Sequence, residues 1–184
     1  MRFIYYWFPC FTKEESNVFL NEVEDIHKNN PNNLIDNPAT GKNLSEVKIL
    51  PASLLPTIFN RFYNRVLEIN EENFGFKLFK QNPKVAHLNY YSEKDSAEYP
   101  FHIDASITGT YHDIKLTGII NLSRTDYTGG DFKFLINQNP INIQEINITG
   151  NAIVFPSFFL HAVDPVIRGE RISLSTWFYG PNWK

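Results

Sequence analysis

His102 and Asp104 stand one residue apart in Tyr99-Pro100-Phe101-His102-Ile103-Asp104. Read as a strand, this segment alternates its side chains between two faces. The imidazole and the carboxylate then point the same way and Ile103 the other. Two donors on one face can meet one ion. A third stands in Phe158-Phe159-Leu160-His161-Ala162-Val163, which also reads as a strand. Two imidazoles and a carboxylate are the donor set of a facial triad, a mononuclear non-haem Fe(II) centre whose other positions take a chelating cosubstrate and O2. Each part alone is a weak signal. His-x-Asp pairs arise by chance, and a lone histidine on an apolar strand is more often core than ligand.

A cation follows at a useful distance. Arg171 lies in Gly169-Glu170-Arg171-Ile172-Ser173, inside an apolar, aromatic strand pattern. A buried guanidinium needs an anion, and its planar fork suits a carboxylate. Ser173 falls on the same face and offers a hydroxyl. Taken alone, Arg171 reads equally well as half of a structural salt bridge.

These residues need a scaffold. Thr12-Lys13-Glu14-Glu15 fits a capping box, and Val18, Phe19, Val23 and Ile26 continue at helical spacing until the Asn/Pro-rich run at Asn29. Residues 34–53 read as loop with a short strand at Glu46 to Leu50. A second helix is expected from Leu54 to Asn73, with Leu55, Ile58, Phe59, Phe62, Val66 and Ile69 on one side. From Phe76 the pattern changes to short strands: 84–91, 99–104, 115–122, 131–136, 142–144, 152–155, 159–163 and 171–178. Turn signals at Gly129-Gly130, Asn139-Pro140, Thr149-Gly150 and Arg168-Gly169 punctuate them. The expected fold class is mainly β with supporting helices (α+β), a sandwich or barrel such as a jelly roll with the helices packed outside.

Composition narrows the classes. At roughly 100–200 residues per domain, 184 residues make a single domain, divided as a helical buttress over 1–75 and a β core over 76–184. A net charge of −3 and a pI near 5.9 argue against a nucleic-acid partner. Cys10 is the sole cysteine, so an internal disulfide and a cysteine-rich zinc site are both excluded. The apolar start breaks at Pro9 and lacks a cleavage signature, and no run is long enough for a membrane helix. A cytoplasmic protein with no membrane partner is expected.

Together, His102-x-Asp104, His161 and Arg171-x-Ser173 resemble the 2-oxoglutarate/Fe(II)-dependent dioxygenases, most of all the prolyl 4-hydroxylase-like branch with its bacterial PKHD-type hydroxylases. The resemblance covers about the last hundred residues. Asn89-Tyr90-Tyr91 is similar to the strand whose tyrosine contacts 2-oxoglutarate, with Tyr90 and Tyr91 both open for that contact. Tyr99 matches an aromatic near the substrate. The strand Leu116-Thr117-Gly118-Ile119-Ile120-Asn121-Leu122 resembles the one lining the cosubstrate pocket, and Thr128-Gly129-Gly130-Asp131 resembles the Gly-Gly-acidic turn. The run from His161 through Arg171 to Trp177 is the most specific stretch. Asn121 departs from a commonly aromatic position.

The resemblance implies a double-stranded β-helix. It also implies Fe(II) held by His102, Asp104 and His161, with 2-oxoglutarate seated by Arg171, Ser173, Thr117 and one of the two tyrosines. Tyr99 and Trp177 would wall the substrate site, O2 would be consumed, and ascorbate would be a further reductant. The implied reaction couples oxidative decarboxylation of 2-oxoglutarate, to succinate and CO2, with hydroxylation of an unactivated C–H. The expected substrate is a peptidyl proline. A free amino acid or other small molecule is the alternative within the same chemistry, and a catalytically silent jelly-roll binding module the alternative outside it. His27, His87 and the adjacent His112-Asp113 are assigned no metal.

Overall fold

The computed structural model of the protein describes residues 4–29, 35–37, 45–80, 82–105 and 114–182. The chain opens with a strand the sequence reading does not contain, β1 (Tyr6–Pro9). Thr12 then starts α1 (Lys13–Asn29) through the expected capping box. Glu15 N–H donates to Thr12 Oγ1 at 3.1 Å, and Thr12 N–H donates to Glu15 Oε2 at 2.9 Å. Next come β2 (Ile35–Asn37) and β3 (Glu46–Pro51), paired antiparallel.

The second helix, α2 (Phe59–Ile69), begins later than Leu54. Pro56 forces the residue before it out of the helical region. Leu55 is accordingly extended (φ −67°, ψ 142°) and separates a 3-10 turn at Ala52–Leu54 from the helix proper. One π-type turn, Asn70–Phe74, carries the helix to Gly75.

The remainder is strand: β4 (Val85–Ser92), β5 (Tyr99–His102), β6 (Ile114–Asn121), β7 (Thr128–Gly129), β8 (Phe132–Ile136), β9 (Asn139–Asn142), β10 (Asn151–Pro156), β11 (His161–Val163), β12 (Val166–Arg168) and β13 (Glu170–Tyr179). One turn is displaced from its expected place. Ile136 pairs directly with Asn139, so the β8–β9 hairpin turns on Asn137 and Gln138, both at positive φ (50° and 66°), and Asn139-Pro140 lies in the strand. Two-residue hairpin loops require such left-handed residues, which asparagine tolerates. Of the strand expected over 142–144 only Asn142 is in strand, as the last residue of β9, and Gln144–Asn147 is a 3-10 turn.

Seven strands form a large sheet in the order β1-β10-β6-β13-β4-β3-β2, and four form a smaller one, β5-β11-β8-β9; β12 pairs with β7. The ladders are antiparallel, and the two sheets make a jelly roll. The first 75 residues are therefore not a purely helical buttress, because β1, β2 and β3 complete the large sheet.

Two apolar clusters follow from strand alternation. The even residues Ile172, Leu174 and Phe178 of β13 join Leu116 and Ile120 of β6, Phe19, Leu20 and Val23 of α1, and Phe62 and Val66 of α2. Gly118 permits the closest approach of α2 to the sheet: a Cβ there would lie 2.5 Å from Phe62 Cζ. On the other face, Ile119, Ile153 and Phe155 meet Phe132, Phe134 and Val163 of the smaller sheet. Among the described residues no helix is long and apolar enough to cross a membrane.

Candidate active site

β5 ends at His102, two residues short of the expected strand, and Asp104 follows just beyond it. Backbone N–H groups of Asp104 and Ala105 both donate to Ser157 O at 3.1 Å, which fixes the turn that carries the carboxylate. β11 lies beside β5 with His161 directly across from His102, and their ring centroids are 4.2 Å apart. The register, not sequence proximity, brings the second imidazole in.

His102 Nε2 is 3.5 Å from Asp104 Oδ1, and His161 Nε2 is 3.6 Å from Asp104 Oδ2. Nδ1 of each ring lies 2.9 Å from a backbone carbonyl two residues earlier, Pro100 O for His102 and Phe159 O for His161. A carbonyl can only accept, so each Nδ1 carries the hydrogen. That leaves Nε2 of each ring turned to the carboxylate, the arrangement that ligating histidines need.

Burial pushes the His161 ring below the ordinary histidine range, with attraction to Asp104 opposing. Burial also acts to raise the Asp104 carboxyl, but His161, His102 and Thr117 outweigh it and hold it at about 2. Two imidazoles and a carboxylate are a donor set that fits a divalent transition metal. Their donor atoms lie within 4.8 Å of one another, and no other such cluster occurs among the described residues. The His112-Asp113 pair lies outside those residues.

On the large sheet, β13 sets Arg171 opposite Tyr91 and Ser173 opposite Asn89 of β4. Arg171 is 1% exposed and is among the largest fully buried side chains. Its Nη1 donates to Ser173 Oγ at 3.1 Å, while Nε and Nη2 have no partner among the described residues. The Tyr91 ring lies 5.3 Å from its guanidinium carbon. A buried cation without its anion is costly. A ligand carboxylate would supply that anion, so these residues fit 2-oxoglutarate as the ligand cluster fits iron. Gly130, at φ +65°, gives Arg171 room, since a Cβ there would sit 3.1 Å from its Cδ.

The register also separates the two tyrosines. Tyr91 faces the barrel. Tyr90 faces the helices, where its hydroxyl donates to Glu24 at 3.0 Å and its ring packs on the helix-side core. The cosubstrate contact expected of either is therefore withdrawn for Tyr90, because neighbouring strand residues point to opposite faces.

Thr117, expected to help seat 2-oxoglutarate, lies against the ligand cluster. Its hydroxyl lies 2.6 Å from Asp104 Oδ2, so it touches the carboxylate of the ligand cluster. Tyr99 stacks on His102 with centroids 3.7 Å apart. Trp177 stands opposite Thr117, its Nε1 buried without an acceptor among the described residues. His87 meets Trp177 edge to face at 4.5 Å, and burial lowers its pKa to about 4. Sequence reasoning gave Ser157 and His87 no role. Their positions depend on pairings between distant strands, which leave no local signal.

A sequence model of the 2OG-Fe(II) oxygenase superfamily matches residues 86–179, from β4 through β13. A PKHD-type hydroxylase of Alteromonas mediterranea is 36% identical over 98 residues, which are 49% of this chain and 41% of that protein. The chain thus spans about two fifths of the length of the first curated relatives it matches. The fold is similar to that of a Pseudomonas putida prolyl-4-hydroxylase, with a TM-score of 0.72, 17% identity and coverage of 98% of this chain and 95% of that one. It is also similar to a Trichoplax adhaerens prolyl hydroxylase in complex with a peptide fragment of the hypoxia inducible factor oxygen degradation domain. That match has a TM-score of 0.68 and 12% identity, over 96% of this chain and 83% of that one.

Proposed function

Because the chain belongs to the 2OG-Fe(II) oxygenase superfamily, we propose that it is a PKHD-type, 2-oxoglutarate- and Fe(II)-dependent hydroxylase acting on a peptidyl residue, proline first. His102, Asp104 and His161 hold the iron. Arg171, with Ser173 at its Nη1 and Tyr91 against its face, pairs with the distal carboxylate of 2-oxoglutarate. Tyr99, stacked on His102, and Trp177, opposite Thr117, wall the substrate side. The bound iron supplies the oxidising chemistry; the protein orients the groups and excludes water.

One observation carries this reading. A single barrel holds a three-donor cluster with both Nε2 atoms turned to the Asp104 carboxylate and, on the facing sheet, a buried guanidinium with two nitrogens lacking partners among the described residues. The peptide-bound fold neighbour supports a peptide substrate.

Anaerobic titration of the Fe(II)-loaded protein with 2-oxoglutarate should develop a charge-transfer band, absent in His102→Ala. Aerobic incubation with proline-containing peptides should then release succinate in step with peptide hydroxylation. A wild-type protein that gives no band refutes the oxygenase reading. Turnover on free amino acids but on none of the peptides replaces the peptide substrate with a small molecule.

A further inference from the structure

Thr117 lies in the middle of β6, buried to 1% exposure. Its Oγ1 is 2.6 Å from Asp104 Oδ2 and 3.0 Å from the Ser157 hydroxyl. An ionised carboxylate only accepts, so the single Thr117 proton goes to Oδ2, and Ser157 is left to donate to Thr117. Hydroxyl-to-carboxylate bonds of this length are the strong, charge-assisted kind. The backbone side of Asp104 is held too, by its N–H on Ser157 O. The carboxylate is therefore clamped by neighbours on β6 and at the end of β10, and its two oxygens are unequal. Each oxygen faces one imidazole, Oδ1 at 3.5 Å from His102 Nε2 and Oδ2 at 3.6 Å from His161 Nε2, but Oδ2 also accepts from Thr117.

We propose that Thr117 restricts Asp104 to a single metal-binding oxygen and so keeps one further coordination position open. The proposal rests on the reading of His102, Asp104 and His161 as the metal ligands. A carboxylate can grip an ion through one oxygen or both. The second oxygen would occupy a position that a chelating cosubstrate and O2 together require. Thr117 is thus a positioning residue acting through Asp104, a role distinct from lining the cosubstrate pocket.

The test uses the full chain loaded with Mn(II), whose effect on water-proton relaxation reads the number of water molecules on the ion. In Thr117→Val the hydroxyl is lost at constant shape, and Oδ2 is released to the metal. Relaxation enhancement per bound ion should fall by about a third, one of three open positions. The affinity of the Mn(II) form for 2-oxoglutarate should fall at least tenfold. Thr117→Ser keeps the hydroxyl and should behave as wild type. Should Thr117→Val melt too low to load, Thr117→Ala carries the same expectation. Wild-type relaxation and 2-oxoglutarate affinity in the hydroxyl-free variant would overturn the proposal, as would a Thr117→Ser that fails like Thr117→Val. His102→Ala separates this outcome from failure of the underlying reading. If that variant binds Mn(II) as the wild type does, the metal site itself is wrong.

Discussion

Along β13, Ile172, Leu174 and Phe178 look toward the helices, and Arg171, Ser173 and Trp177 look into the barrel. The helix side is made almost wholly of side chains under a few per cent exposed, and the polar residue in its row, Thr176, donates to Val85 O at 3.0 Å. The barrel side is buried at Arg171 and Ser173 but only half-buried at Trp177, and among the described residues it leaves two Arg171 nitrogens and the Trp177 indole N–H without partners. One strand thus separates two tasks by its period of two. The helix side stabilises the folded chain by excluding water. The barrel side costs stability until a ligand supplies the missing partners, which is the usual trade at a functional site.

Arg171→Leu breaks the barrel side alone and has the largest expected effect. Calorimetric titration of the metal-loaded protein should show 2-oxoglutarate binding weakened by roughly 100- to 1,000-fold or more, the 3–5 kcal/mol typical when one partner of a buried ion pair is removed. The ligand-free variant should be as stable as the wild type or more so in denaturant unfolding. Marked destabilisation would mean that Arg171 already has a structural partner, and the contrast between the faces would fall. Phe62→Ala tests the opposite face. Phe62 packs on Phe8, Phe59 and Phe178 and fills the space Gly118 leaves. Its truncation should cost about 3–5 kcal/mol of stability, with 2-oxoglutarate affinity of the folded fraction unchanged.

His87 is a barrel-side residue whose stability contribution depends on pH. Burial lowers its pKa to about 4, against roughly 6.5 in an unfolded chain. Above pH 6.5 both states are neutral and nothing is lost. As pH falls through the window from 6.5 to 4, the unfolded chain takes the proton and the folded one does not, so the ligand-free protein loses stability. The loss attributable to His87 should reach about 2–3 kcal/mol near pH 4. In His87→Leu the acid limb of the stability profile should flatten by that amount. An unchanged limb would place the acid sensitivity on His161, which burial also shifts downward.

The sequence contains these two faces unevenly. The alternation that pairs His102 with Asp104 is local, and so is the helical stripe ending at Ile69; both can be read directly. The Thr12–Glu15 capping box is also local. The choice between Tyr90 and Tyr91 is not, because it depends on Arg171 pairing with Tyr91 across two strands eighty residues apart in sequence. Thr117 reaching Asp104 and Ser157 anchoring its backbone are likewise products of the sheet assembly. β1 escaped notice because a four-residue edge strand ending in proline has too few positions to show a period. At Asn139-Pro140 a turn-forming dipeptide lies inside a strand, and edge strands tolerate proline.

The smallest expected effect is at the outer layer of the helix side. Thr12 caps α1, and Glu15, which answers it, also takes two hydrogen bonds from Arg61 of α2, at 2.6 Å and 2.9 Å. The cap therefore orients a carboxylate that joins the two helices over the large sheet. Thr12→Ala removes one acceptor from the first turn and should cost about 1 kcal/mol, a fall of about 2–4 °C in the melting midpoint for a chain of this size. Glu15 and Arg61 are exposed to solvent and salt, so their pairing should cushion little of that loss. If the helices only stabilise the sheet from behind, 2-oxoglutarate affinity should stay at the wild-type value. A parallel fall in affinity would show that the register of β13 yields when α1 loosens, and that the helix side also sets the geometry of the barrel.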